Sequence, residues 1–228
     1  PKELSRPFPG FGSVMRTSWT DPNASYVVHR TGPNLHHYQN DFNEIVFFAK
    51  GAPLCQDFGN VYTGGHGESW DHNRVSFHLG DYQTEKYGNW YDTKLGELVD
   101  FRTLPRTADY SYGVSYGHGS QRDHRHVLFV KSNDSLGANY VVMRDITEDG
   151  EVNQHFYWNL WCMSKEPVIN GNSVHFPGQF DVDLDVHLLS PANPQFVRDH
   201  WNWQDNRPPW GKFTEEQYCV RVHKEGSM

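Results

Sequence analysis

Between Phe180 and Leu188 the sequence FDVDLDVHL alternates without a break. Phe180, Val182, Leu184, Val186 and Leu188 fall on one side, and Asp181, Asp183, Asp185 and His187 on the other. Successive side chains of an extended chain point to opposite faces, so this period of two predicts a half-buried antiparallel strand. Short runs of β-branched and aromatic residues bounded by Gly, Asn, Asp or Pro mark further strands. They are ASYVVHR, EIVFFAKG, RVSFHLG, RHVLFVKS, NYVVMRDI, HFYWNLWC and YCVRVHK. Only DTKLGELVDFRTL, ending at Leu104, offers a short amphipathic helix. Residues 60–71 and 190–215 are less regular, and HWNWQDNRPPW within the second predicts a long loop over a sheet face. Many short strands separated by turn signals predict an all-β fold. The expected architecture is a two-sheet antiparallel β-sandwich of jelly-roll or supersandwich type, with few short helices and one domain over residues 1–228.

The stretch from His36 to Gly59 adds chemistry to this pattern. Asp41 and Asn43 share the parity of Ile45, and His37 and Gln39 continue it, so all four can line one surface of a strand. Gly51 and Pro53 predict a turn, after which PLCQDFG returns and brings Asp57 toward Gln39. His72 stands at the head of the next strand. An imidazole, a carboxylate and one further donor suit Zn²⁺. With 14 histidines in the chain, chance clusters are expected, and spacing alone favours hydrogen-bonded surface or core histidines.

Composition narrows the function classes. Aromatic residues make up 15% of 228 residues, enough for a sizeable core despite a mean hydropathy of -0.76. A formal charge of -8 argues against a nucleic-acid partner, which needs a basic face. The longest apolar runs, such as Ile45–Ala49 and Val127–Val130, are too short to cross a bilayer as a helix, and no signal peptide is visible. Cys55, Cys162 and Cys219 are far apart and form no CxxC, which favours buried free thiols over a disulfide framework.

Three further clusters have both a functional and a plain reading. Arg122 and Arg125, with His118, His124 and His126, can contact an anionic sugar or form the polar entry to a strand, with Arg paired to Asp123. Trp201 and Trp203, with Trp210, can stack on sugar rings or cover a sheet. The Asp181, Asp183, Asp185 ladder supplies too few converging oxygens for Ca²⁺ and reads as a solvated strand face.

Taken together, several motifs resemble the heparinase II/III-like polysaccharide lyases. They are His37, Gln39, Asp41 and Asn43, the apolar strand, the Leu54 and Asp57-Phe58-Gly59 that follow, and then His72-Asn73-RVSF. FPGFGSVMRTSW upstream and the strands RHVLFVK and NYVVMRDI downstream extend the likeness from Pro9 to Asp145, and more loosely to YCVRVHKEG. The resemblance implies a β-sandwich that follows an N-terminal α/α-toroid, with a catalytic cleft between the two. The chain is then expected to be the C-terminal part of a larger periplasmic or secreted enzyme. Its substrate class would be an acidic polysaccharide such as alginate, a glycosaminoglycan or an ulvan-like polymer. The resemblance places His37 at the cleft and makes Tyr62 a candidate catalytic tyrosine, with Tyr91 a further one. Asp57, His72 and Gln39 fall at the metal-ligand positions of zinc-containing members, where Zn²⁺ would be structural. Gln39 departs from the histidine of those members. An amide oxygen is a poorer Zn²⁺ ligand than imidazole, and His36 or His66 is the neighbour that can replace it. A non-catalytic carbohydrate-binding or structural sandwich is the alternative that Gln39 favours.

Overall fold

The computed structural model describes residues 3–32, 41–56, 69–77, 96–116, 121–134, 136–148, 155–205 and 213–225, without the side chains of 203–205 and 213–215. Nearly all of these residues lie in strands or in the turns that join them. A first sheet has the order β1 (Arg6–Phe8), β2 (Gly12–Arg16), β3 (Tyr26–Arg30), β4 (Glu44–Ala49) and β5 (Ala52–Cys55). A second runs β10 (Tyr140–Glu148), β9 (Arg122–Val130), β8 (Ala108–Tyr116) and β7 (Gly96–Leu104). A third runs β15 (Gln195–Asp205), β16 (Phe213–Glu225), β11 (His155–Cys162) and β6 (Val75–Ser76). A small sheet joins β12 (Val168–Asn170), β13 (Ser173–Phe176) and β14 (Leu184–His187). All strand pairs in these sheets are antiparallel. The sheets do not close into a barrel, and the fold is the expected all-β sandwich.

The inward residues of each sheet interlock. Met15 and Val27 of the first sheet, Val127 and Phe129 of the second, and Phe156 and Val222 of the third belong to one buried cluster. Phe47 meets Phe129 edge to face, with centroids 6.5 Å apart. Polar contacts cross the first interface as well. Ser13 donates to Ser111 Oγ at 2.8 Å, and Ser5 donates to Asp109 Oδ2 at 2.5 Å. Asp109 also holds the buried Lys131 ammonium at 2.6 Å. The three cysteines are free and buried, as expected, with Cys55 and Cys162 Sγ 3.4 Å apart. Burial raises the Cys162 and Cys219 thiols, which makes them poor nucleophiles.

Four local expectations are corrected. Residues 96–104 form strand β7 rather than a helix. A bulge between Leu98 and Asp100 puts the inward residues Leu98 and Phe101 three apart, and that spacing imitates a helical period. HWNWQ is not loop but part of β15, paired with β16 along its whole length. As an edge strand carrying polar residues on both faces, it lacks a clean alternation. Strand β14 is shorter than the FDVDLDVHL pattern, because Asp181 has a φ of 59° and Asp183 accepts the Gly178 N–H at 2.9 Å. The β4–β5 turn is made by Lys50 and Gly51, with φ values of 53° and 79°, whereas Pro53 lies within β5. Two consecutive positive φ values match the twist of a tight hairpin, and β5 is an edge strand that tolerates proline.

Gly113 lets the first two sheets approach. A Cβ built there would collide with Thr31 Cγ2 and with the Asn43 side-chain oxygen. Gly113→Ala should therefore destabilise the fold by about 1–3 kcal/mol, read as a lowered urea midpoint with unchanged m-value.

A candidate cleft base built on a buried polar layer

Strand β9 alternates strictly. Arg122, His124 and His126 are half-buried on the outer face, while Asp123, Arg125 and Val127 face inward and are fully buried. This corrects one assignment of the cationic cluster. The Arg125 guanidinium is inside the molecule, beyond the reach of a polysaccharide. It grips Asp145 of β10 with two bonds, Nε to Oδ1 at 2.6 Å and Nη2 to Oδ2 at 2.9 Å. Its Nη1 donates to the backbone oxygens of Asn43 at 2.8 Å and Asn73 at 2.5 Å. Asp145 is the partner, rather than the Asp123 expected from sequence proximity, because Asp145 lies directly opposite Arg125 in the β9–β10 register.

Both carbonyls that Arg125 binds belong to segments singled out by the sequence. Asn43 ends the stretch that contains His37 and Gln39. Its φ of 64° breaks the extended chain before β4 begins, so the strand parity that linked Ile45 to His37 does not carry through. Asn73 follows His72. Its carbonyl also accepts Ile45 N at 3.2 Å, and its side-chain oxygen accepts Trp161 N at 2.6 Å. Its amide donates to Gln56 O at 3.4 Å. The β4–β5 hairpin thus returns as expected, and Asn73 brings the chain just before Asp57 to the residue just after His72. His37, Gln39, Asp57, Tyr62 and Tyr91 themselves lie outside the described residues, as do His36, His66, His118 and Trp210.

His72 is fully buried, with Nδ1 3.4 Å from Glu44 Oε2. Nearby, Arg30 pairs with Asp41. Of the other predicted sugar contacts, Arg122 lies over the Tyr116 ring at 4.6 Å and donates to Gln121 O at 2.7 Å on the outer face. Trp201 is half-buried and packs on Trp161 and Cys219, which is closer to the covering role than to a presented platform.

Sequence reasoning missed His29, which is fully buried in β3. Its Nε2 lies 2.9 Å from Asn43 Oδ1, and its Nδ1 lies 2.8 Å from Ser111 Oγ. Asn43 Nδ2 donates to Asp123 Oδ2 at 2.9 Å, which fixes Asn43 Oδ1 as an acceptor. His29 Nε2 must then carry the hydrogen and Nδ1 must accept from Ser111. A single directional chain results: Ser13 to Ser111, to His29, to Asn43, to Asp123. Burial pushes the His29 imidazole down to about 3, so the ring is neutral. The only sequence signal for it was a histidine at an inward position of YVVHR.

Asp123 closes the chain. Burial, and then the charge of Asp145, push its carboxyl up to about 7, against the opposing pull of Arg125, Arg74 and Asn43. Its Oδ1 has no hydrogen-bond partner among the described residues.

The comparisons with known proteins bear on what such a base could support. No family model matches the sequence, and none of the curated proteins does. Solved structures do match. Heparan sulfate lyase HepC from Pedobacter heparinus superposes with a TM-score of 0.75 over 100% of this chain, at 17% identity. The heparinase III BT4657 gene product superposes with a TM-score of 0.71 over 99%, at 15% identity. This chain has the fold found in those lyases. It spans only 35% and 36% of their lengths. Among the described residues, no helix is long and apolar enough to cross a membrane.

The two buried ionisable groups have opposite pH signatures. His29 is depressed in the fold, so the unfolded chain takes up a proton first and its contribution is lost as pH falls from 6.5 toward 3. Asp123 is raised, so its contribution is complete below 3.8 and is lost as pH rises through about 7. Asp123→Asn mimics the protonated acid. Its stability relative to the parent chain should therefore improve between pH 5 and pH 8, measured by urea midpoints at both. A difference independent of pH would refute the raised carboxyl.

Proposed function

We propose that this chain is the β-sandwich part of a polysaccharide lyase that cleaves a uronate-containing acidic polysaccharide by β-elimination. The observation that carries the reading is the match over essentially the whole chain to about a third of a heparan sulfate lyase chain and of a heparinase III chain. The Arg125–Asn73 anchorage supports it, because it fixes the flanks of the segments that hold His37 and His72. In such a reaction the uronate carboxylate is neutralised, a base removes the C5 proton, and an acid protonates the departing glycosidic oxygen. His37 serves as base or carboxylate neutraliser, since imidazole exchanges protons near neutral pH. Tyr62 is the partner for proton transfer. Arg122, with Trp203, lines the approach for the polymer. The remaining machinery comes from an N-terminal helical toroid, which accords with the share of the lyase chains left unmatched. A periplasmic or extracellular location follows from the same reading.

A structural Zn²⁺ belongs to this proposal. His72, Asp57 and Gln39 would hold it, with His36 or His66 able to replace the amide. The described part of the set fits, because a buried carboxylate, Glu44, lies beside the His72 ring, as carboxylates do behind metal-bound imidazoles. The ion would stiffen the cleft wall.

A second reading, a non-catalytic carbohydrate-binding sandwich, is favoured by Gln39 alone. Incubating the complete protein with alginate, heparan sulfate, chondroitin and ulvan separates the two. The lyase reading expects ultraviolet-absorbing unsaturated uronate from at least one polymer, with His37→Ala at least ~100-fold slower. Binding to a polymer without any such product would establish the second reading instead. For the metal, elemental analysis should find one zinc that disappears in Asp57→Ala. Full zinc content in that variant would remove Asp57 from the ligand set.

A further inference from the structure

A separate group of ligating side chains sits at the far end of β11 from the Asn73–Trp161 contact. His155 of β11 lies opposite Glu225 of β16, and Tyr157 lies opposite His223. Alternation along both strands puts His155, His223 and Glu225 on one face. His155 Nδ1 and His223 Nε2 are 2.8 Å apart, and Glu225 Oε1 is 4.0 Å from His155 Nδ1. The three ligand atoms lie within 4.8 Å of one another.

We propose that His155, His223 and Glu225 form a surface site for a divalent transition-metal ion of the Zn²⁺ class. Two ring nitrogens that face each other at hydrogen-bond distance can share only one hydrogen, and a cation can take its place. Bonds of about 2.0–2.1 Å in a tetrahedral site hold neighbouring ligands a little over 3 Å apart. A small rotation of either imidazole opens the present gap to that value. The scaffold is prepared for it. Strand β16 is internal, and His223 is held between β11 and β15, while His155 and Glu225 pair with each other across the β11–β16 ladder. Tyr157 stacks on the His223 ring at 4.7 Å and 16°, which steadies the imidazole plane. On the β15 side, the residue facing His223 is the uncharged Gln195. On β16, the next cation on that face is Arg221, whose guanidinium is spent on Asp199 at 2.5 Å and Asn159 at 2.9 Å. Two imidazoles and one carboxylate select Zn²⁺, Ni²⁺ or Cu²⁺ over Ca²⁺ or Mg²⁺, which call for more oxygens. Three protein ligands leave a fourth position open to water or to a donor from a partner. The site shares no ligand with the proposed Asp57–His72 centre, so it stands or falls independently of the lyase reading.

The test uses the complete chain, stripped with a chelator and titrated with Zn²⁺ alone by calorimetry. It is compared with the double variant His155→Gln/His223→Gln and with Glu225→Gln. All three residues are at least partly exposed, and circular dichroism of the metal-free proteins checks that the strands are intact. The proposal expects the double variant to lose one equivalent of Zn²⁺, and Glu225→Gln to bind at that site at least ~10-fold more weakly. Cu²⁺ added to the unmodified chain should show electron paramagnetic resonance couplings from two imidazole nitrogens. Unchanged stoichiometry in the double variant overturns the proposal. So does an unmodified chain that takes up no Zn²⁺ at ~1 mM, or a Cu²⁺ spectrum without imidazole nitrogen.

Discussion

One buried guanidinium ties the second sheet to the first sheet and to the head of β6. Arg125 has no water to bond to, so each of its donors must find a protein acceptor. It finds Asp145 on the neighbouring strand and the carbonyls of Asn43 and Asn73, which are 30 residues apart in sequence. The second sheet is thereby locked to the turn that opens β4 and to the segment that opens β6. Removing one partner of such a buried pair costs about 3–5 kcal/mol, because the other is left as an uncompensated charge. No surface ion pair among the described residues has comparable leverage, since exposed pairs contribute about 0–1 kcal/mol.

The surrounding layer interleaves both signs of charge. Guanidiniums of Arg30, Arg74 and Arg125 are set among carboxylates that include Asp41, Glu44, Asp123 and Asp145. Burial and the charge of Asp145 raise the Asp123 carboxyl to about 7, and burial keeps His29 neutral. The uncharged hydrogen-bond chain from Ser13 to Asn43 then reaches Asp123 without burying further charge.

The sequence made the strands legible wherever one face is apolar and the other polar. Strand β14 was read from this alternation, and β3, β4, β9, β10, β11 and β16 from short β-branched and aromatic runs bounded by turn residues. Strand β7 escaped because its bulge puts Leu98 and Phe101 three apart. Strand β15 escaped because an edge strand with polar residues on both faces carries no period at all. In the candidate site, His72 and its neighbourhood to the β4–β5 hairpin were legible from spacing and resemblance, while the means of joining them was not. Arg125 read as a surface cation, since nothing in RDHRHV shows which arginine turns inward until the register against Asp145 is known. His29 was silent for the same reason: its partners Asn43 and Ser111 are 14 and 82 residues away.

The cost of this layer is itself an argument about function. A buried ionic cluster is usually no more stabilising than apolar residues of the same volume, and often less so. The interface between the first two sheets has apolar packing available, as Phe47 against Phe129 shows a few residues away. What hydrogen-bonded charges supply that apolar packing does not is direction: a guanidinium accepts only acceptors placed along its own N–H bonds. Proton abstraction has the same requirement, because a base displaced by about 1 Å loses much of its rate. A polar layer at the flanks of the segments that carry His37 and His72 is the arrangement expected if those segments must be held in place more exactly than stability alone demands.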